Sequence, residues 1–139
     1  MTIERILKQH EEILALIEEL EDYLKKVNSS NSINNYIVSE ILLKKSYLMG
    51  KLKVHLLTEE MYFDNLNFDN KKEYKAVIEK MLEISNKINE FDEVYKNISS
   101  IEQNINVFAL QFKEILNHLK NRIVTENNTI YNKIYELKN

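Results

Sequence analysis

Hydrophobic residues recur at alternating spacings of three and four along four segments of this 139-residue chain. The segments cover about residues 3–27, 33–65 and 70–91, and the fourth follows Ser99. Such spacing places the apolar side chains on one face of an amphipathic α-helix. The pattern therefore predicts four long helices, each with one apolar stripe.

The breaks between the segments are short and polar. Residues 28–32 are rich in Asn and Ser, which favour turns. Residues 70–73 and 99–102 each have the capping-box pattern that opens a helix. Because short loops force neighbouring helices to be antiparallel, we expect an all-α fold, an up-down-up-down four-helix bundle. One domain is expected to span residues 1–139.

Composition excludes several classes of protein. The chain has one Gly, no Pro and no Cys, so disulfides, thiolate metal sites and glycine-rich phosphate loops are excluded. It has 19 basic and 22 acidic residues and no basic stripe, so no nucleic-acid partner is expected. No membrane span or signal-peptide pattern is visible, and we expect a cytoplasmic protein without a membrane partner.

The single glycine lies in the middle of the second segment. A glycine inside a helix costs about 1 kcal/mol relative to alanine. Ser46 lies one turn before Gly50. Two small residues one turn apart predict that another helix approaches closely at this point.

Polar residues interrupt the apolar stripes at four positions: His10, His55, Glu59 and Glu126. Burying a lone carboxylate is costly unless it is paired or bound to a metal. His55 and Glu59 are four residues apart, which places both on one helix face. Imidazole and carboxylate ligands together suit iron, manganese or zinc. The stripes therefore indicate a metal centre between the helices.

Each of these residues also has a simpler interpretation. His10 could be a hydrogen-bonded core histidine, and His55 with Glu59 a surface pair. Arg122 and Glu126 have the spacing of an ordinary helical ion pair, and His118 could be solvated on a helix flank. The eight tyrosines are interpreted mostly as residues at the edge of the core. The Glu-x-x-His pattern of ferritin-like di-iron proteins is absent from the sequence.

Three stretches resemble the hemerythrin-like, HHE cation-binding domains. His55-Leu-Leu-Thr-Glu59-Glu60 followed by apolar residues resembles the family's His-x-x-x-Glu-Glu motif. The sequence around His10 is similar to its first histidine motif, and the stretch from Arg122 to Glu126 to its last. The resemblance implies a bundle that holds a non-haem di-iron centre. Iron is then the expected cofactor, with dioxygen as a partner.

The departures from the family pattern concern helices 3 and 4. Tyr74 and Ile78 stand where the family has histidines in helix 3, and Arg122 stands where it has one in helix 4. His10, His55, Glu59 and Glu126 match. The resemblance makes the two glutamates bridging carboxylates, with His10 serving one iron and His55 the other.

Three outcomes are open. His118 replaces a lost ligand, with Tyr74 as a phenolate; or the site holds a single or weakly bound metal; or the Arg122 guanidinium takes the place of the metal and neutralises the glutamates. We expect an iron-binding protein with a role in oxygen, redox or iron sensing and handling, and not an enzyme. The alternatives are a metal-free interaction protein and a di-iron oxidase or peroxidase.

Overall fold

The structure is a computed structural model that describes residues 3–29, 35–64 and 71–131. Apart from a turn at 95–97 and Asn104, these residues are helical, and no strand occurs among them. The predicted all-α class is confirmed. The elements are α1 (Ile3–Ser29), α2 (Asn35–Asp64), α3 (Lys71–Val94), α4 (Ile98–Gln103), α5 (Ile105–Glu126) and a π-helical turn (Asn127–Tyr131).

Each of the four long helices packs against two others. Helix α1 contacts α2 and α5, and α3 contacts the same two helices. This pattern of neighbours is consistent with a bundle around one central axis. None of the described helices combines the length and the apolar character needed to cross a membrane.

A layer of polar side chains divides the interior of the bundle into two hydrophobic clusters. The large cluster takes Ile13 from α1, Leu52 from α2 and Ile123 from α5. The small cluster, at the other end, consists of Ile3, Ile6, Tyr62, Phe63, Val77 and Tyr131, which are all buried. On each of these helices a polar residue lies between the two clusters, as the interrupted stripes predicted.

The last long segment begins differently from the prediction. Asn97, not Ser99, caps α4: its side chain accepts a hydrogen bond from the Ser100 backbone N–H at 2.9 Å, and Ser100 Oγ accepts from the Asn97 backbone N–H at 3.2 Å. Asparagine is among the best N-cap residues, and Ser100 supplies the returning bond that Glu102 was expected to make. The capping box predicted at 70–73 lies outside the described side chains.

The expected close approach of a helix at Gly50 is wrong. Apart from its chain neighbours and the nearby backbone of α2 itself, no atom lies within 4 Å of the position that a Cβ would occupy. Gly50 is exposed and borders an open cleft between α1 and α2 with Gln9, Ser46 and Val54. Gly50 lies two residues from the core residues Leu48 and Leu52, which places it on the side of α2 away from the bundle axis. Packing within the described part of the chain therefore does not require a glycine here.

Because space at Gly50 is open, Gly50→Ala should raise the free energy of unfolding by about 0.5–1 kcal/mol, the cost of glycine in a helix interior. Urea denaturation in dilute solution, followed by circular dichroism, measures the change. A lower stability of the variant would instead show that something packs closely against this position.

Candidate metal centre

The centre of the polar layer is a pair of imidazoles from two helices. His10 of α1 and His55 of α2 are both fully buried, and their Nε2 atoms lie 2.8 Å apart. His10 follows Ile6 by one turn, and His55 follows Leu52 by three residues, so the helical period directs both rings into the core.

Two buried glutamates complete the group. Glu59 lies one turn after His55, and its Oε1 is 2.8 Å from His55 Nε2. Glu126 comes from the end of α5, with Oε2 3.8 Å from His10 Nε2. One ligand atom from each of the four residues lies within 4.8 Å of all the others. The four positions singled out on the stripes therefore meet at one point.

A hydrogen-bond chain from α1 to α2 sets the tautomer of His55. The Thr58 hydroxyl donates to the Val54 carbonyl at 2.9 Å and accepts from Gln9 Nε2 at 3.1 Å. This turns Gln9 Oε1 toward His55 Nδ1, at 2.8 Å. An amide oxygen only accepts, so Nδ1 carries the proton and Nε2 presents its lone pair to the centre.

The tautomer of His10 is set in the same way from the other side. Its Nδ1 donates to Asn127 Oδ1 at 2.6 Å, which leaves the Nε2 lone pair facing His55. Two lone pairs 2.8 Å apart require a proton or a cation between them. Outer hydrogen bonds of this kind orient the histidine ligands of metal sites, so the donor geometry fits a metal ion.

Each glutamate is likewise held by one oxygen and points the other inward. The Tyr131 hydroxyl donates to Glu59 Oε2, and Arg122 Nε donates to Glu126 Oε1 at 2.9 Å. The inner oxygens, Glu59 Oε1 and Glu126 Oε2, have no hydrogen-bond partner among the described residues. Two imidazole nitrogens and two carboxylate oxygens form a set that suits iron, manganese or zinc.

A π-helical turn at Asn127–Tyr131 brings two of these supporting groups to the site. In an α-helix, Tyr131 would lie about 140° around the axis from Glu126. In a π-helix the backbone hydrogen bonds join residues five apart. Tyr131 therefore lies on the same face as Glu126. The sequence pattern does not predict the roles of Gln9, Thr58, Asn127 and Tyr131, because the α-helical period gives no signal for the π-helical turn and polar residues on helix flanks are common.

Burial sets the charge state of the site. Burial and the neighbouring His55 lower the pKa of His10 to about 4. Burial and the charge of Glu59 raise the pKa of Glu126 to about 8, although Arg122 opposes this. Burial acts to raise the pKa of Glu59 too, but the neighbouring imidazoles and the Tyr131 hydroxyl outweigh it and lower the pKa. The metal-free site therefore favours neutral His10 and ionised Glu59, and it opposes the ionisation of Glu126. A bound cation favours the ionised form of Glu126.

The structure does not bring His118 to this centre. Its side chain is exposed on α5 and borders a surface cleft with Lys87 and Glu90. Each four-residue step along an α-helix drifts by about 40°. The two steps from Glu126 through Arg122 to His118 therefore carry the imidazole about 80° away from the core.

Tyr74 of α3 is half-buried and stacks on Phe63, with the ring centroids 4.9 Å apart. It packs with Ile78 against the small hydrophobic cluster. At the two positions where the family has helix-3 histidines, α3 therefore contributes packing.

A comparison with family models identifies the chain. The model of the hemerythrin HHE cation-binding domain matches residues 1–134, so the protein belongs to this family. No curated protein and no solved structure matches the chain at a significant level.

Removing the hydroxyl of Tyr131 should destabilise the metal-free protein. Tyr131→Phe leaves a buried oxygen of Glu59 without its donor, which costs about 1–3 kcal/mol of unfolding free energy. Urea denaturation in the presence of a chelator measures the loss. Tyr47→Phe, at an exposed tyrosine, is the control and should change stability by less than about 0.5 kcal/mol. Equal effects of the two variants would contradict the role given to Tyr131.

Proposed function

We propose that this protein binds a metal ion through His10, His55, Glu59 and Glu126. The observation that supports the proposal is the direction of the lone pairs. Both Nδ1 atoms and both outer carboxylate oxygens are occupied by hydrogen bonds. Both Nε2 atoms and both inner oxygens are directed at one point. A cation resolves the repulsion that this arrangement creates.

We infer that the site holds one ion. Ligand distances of about 2.0–2.2 Å place the donors around a single ion no more than about 4.4 Å apart, close to the 4.8 Å limit that contains all four atoms. A second ion would need further nitrogen ligands. The positions where the family has its other histidines hold Arg122, Tyr74 and Ile78.

Iron is the metal proposed, with a role in oxygen, redox or iron sensing and handling. Iron in a nitrogen and oxygen ligand set supplies redox and dioxygen chemistry. The four ligating side chains are fully buried, so only a small molecule would reach them. This burial favours a binding or sensing function over catalysis on a larger substrate.

The bundle topology that we propose around this site is up-down-up-down. The connections between α1 and α2 and between α2 and α3 span only residues 30–34 and 65–70. Connections this short favour antiparallel neighbours. Helix α5 packs against both α1 and α3, which closes the ring of four long helices.

The position of Arg122 argues against its replacing the metal. A guanidinium in the metal's place would lie between the two carboxylates. Instead its Nε bonds the outer oxygen of Glu126, and the outer oxygen of Glu59 takes the Tyr131 hydroxyl. Arg122 therefore orients one ligand and adds a positive charge beside the site. The metal-free interaction protein remains the alternative function, and metal analysis separates the two.

His55→Ala and Glu59→Ala should each abolish metal retention while the helical signal is largely kept. Each removes one of four ligands that a single ion would share. Protein from iron-supplemented cells is analysed for bound iron, manganese and zinc. His118→Ala and Glu60→Ala are matched controls at an exposed histidine and an exposed glutamate, and both should retain the metal.

Less than about one-tenth equivalent of metal in the wild-type protein would contradict the proposal directly, because a site of this ligand set binds metal tightly. Full retention in both His55→Ala and Glu59→Ala would show that the metal binds elsewhere in the chain.

Arg122→His should raise metal affinity by about tenfold, because it removes a positive charge near the ion and adds an imidazole one turn before Glu126. Competition with a coloured chelator measures the affinity. Arg122→Lys keeps the charge and should bind no more tightly than wild type. Unchanged affinity in Arg122→His would show that this position does not influence the centre.

A further inference from the structure

Helix α2 carries a second apolar stripe on the face opposite the core. We call it the outer stripe. Its large side chains are about half exposed, from 47% for Leu43 to 59% for Leu57. The outer stripe consists of Leu43, Tyr47, Gly50, Val54, Leu57 and Met61. Its spacings are four, three, four, three and four residues.

Such spacing is the heptad repeat with which one helix packs against another. The core face of α2 is already occupied, since Leu48 and Leu52 are fully buried in the large hydrophobic cluster. None of the described residues of α1 is an exposed large hydrophobic residue. The concentration of exposed apolar residues on α2 is not covered by the described part of the chain, and such a surface favours binding to a partner.

Gly50 lies in the middle of the outer stripe. No other side chain or helix approaches it, so its small size serves no contact within the described part of the chain. On a helix–helix interface, a glycine makes room for a large side chain of the facing helix. The absence of a side chain at Gly50 therefore matters for packing only if another helix packs against the outer stripe.

The charges along the two borders of the outer stripe differ. On the border toward α1, Lys44 and Lys51 pair with α1 glutamates at 2.8 and 3.3 Å. The opposite border carries Lys53 and Glu60, seven residues apart and both exposed. Neither forms an ion pair within the described part of the chain. This border therefore offers one charge of each sign.

We propose that the outer stripe binds the outer stripe of a second copy of this chain, with the two α2 helices antiparallel. With Leu57 opposite Val54 of the second copy, Met61 lies opposite its Gly50. The same register places Lys53 beside Glu60 of the second copy. By two-fold symmetry each of these contacts occurs twice.

A second copy satisfies the size and charge requirements together. The longest flexible side chain of the outer stripe faces its glycine, and the oppositely charged border residues face each other. The overlap runs from Tyr47 to Asp64 and would bury on the order of 400 Å² of apolar side-chain surface per copy. A standard interface buries about 800 Å² per partner, so we expect a dissociation constant in the micromolar range.

This interface does not rest on the proposed metal binding. The outer stripe faces away from the layer of His10, His55, Glu59 and Glu126. Metal-free protein should therefore dimerise as well. Failure of one proposal leaves the other intact, because metal content and molecular mass are separate measurements.

The experiment is sedimentation equilibrium of the full chain across the micromolar concentration range, with and without a chelator. Wild type should pass from monomer to dimer in both conditions. Leu57→Glu should remain monomeric throughout. Leu110→Glu is the matched control, because Leu110 on α5 is exposed to 61% against 59% for Leu57, and it should dimerise like wild type.

Charge reversal tests the antiparallel register. Lys53→Glu and Glu60→Lys should each raise the dissociation constant about tenfold, because two attractive pairs become repulsive. The double variant, with both charges exchanged, should return to within a few fold of wild type. All of these positions are exposed, and circular dichroism checks that each variant is helical.

A wild-type protein that is monomeric at every concentration overturns the proposal and assigns the outer stripe to a different protein. Dimerisation that Leu57→Glu leaves unchanged overturns it as well. If Leu57→Glu is monomeric but the double charge exchange fails to restore the single variants, the antiparallel register is wrong.

Discussion

Two buried imidazoles and two buried carboxylates meet between two hydrophobic clusters, and the structure around them is arranged to hold their charge. A buried carboxylate is costly without compensation. Here each group is anchored by one outer hydrogen bond and directs its free lone pair inward, toward the other three. The anchoring groups come from α1, from the end of α5 and from the π-helical turn. The polar layer is thus held by side chains from several elements, which limits the ways in which they can pack.

The chain belongs to the hemerythrin HHE family, and the residues that match the family's pattern and those that depart from it have different surroundings in the bundle. The four residues that match the family's pattern lie on α1, α2 and α5, and one donor atom from each lies within 4.8 Å of the others. The positions that differ carry Tyr74, Ile78 and Arg122. The first two extend the small hydrophobic cluster, while Arg122 orients Glu126 from the outside. The positions that depart from the family's histidine pattern therefore contribute apolar packing on α3 and a positive charge on α5.

Helix α2 contributes to both proposals because it is apolar on two opposite faces. Its inner face carries His55 and Glu59 between core residues. Its outer face, along the same turns, carries Val54, Leu57 and Met61. Residues that pack against another helix on both sides lose freedom of movement. An interface on the outer stripe would thereby also restrain the helix that carries two of the four proposed ligands.

The spacing of residues along the chain is enough to predict the four long helices and the meeting of His10, His55, Glu59 and Glu126, because a period of 3.6 residues carries through a regular helix. The surroundings of these four residues depend instead on how the helices pack in space. The π-helical turn changes the phase after Glu126, so the α-helical period could not place Tyr131. Drift around α5 turns His118 outward. The space around Gly50 depends on what packs against the outer face of α2. The spacing of residues along one chain does not specify that.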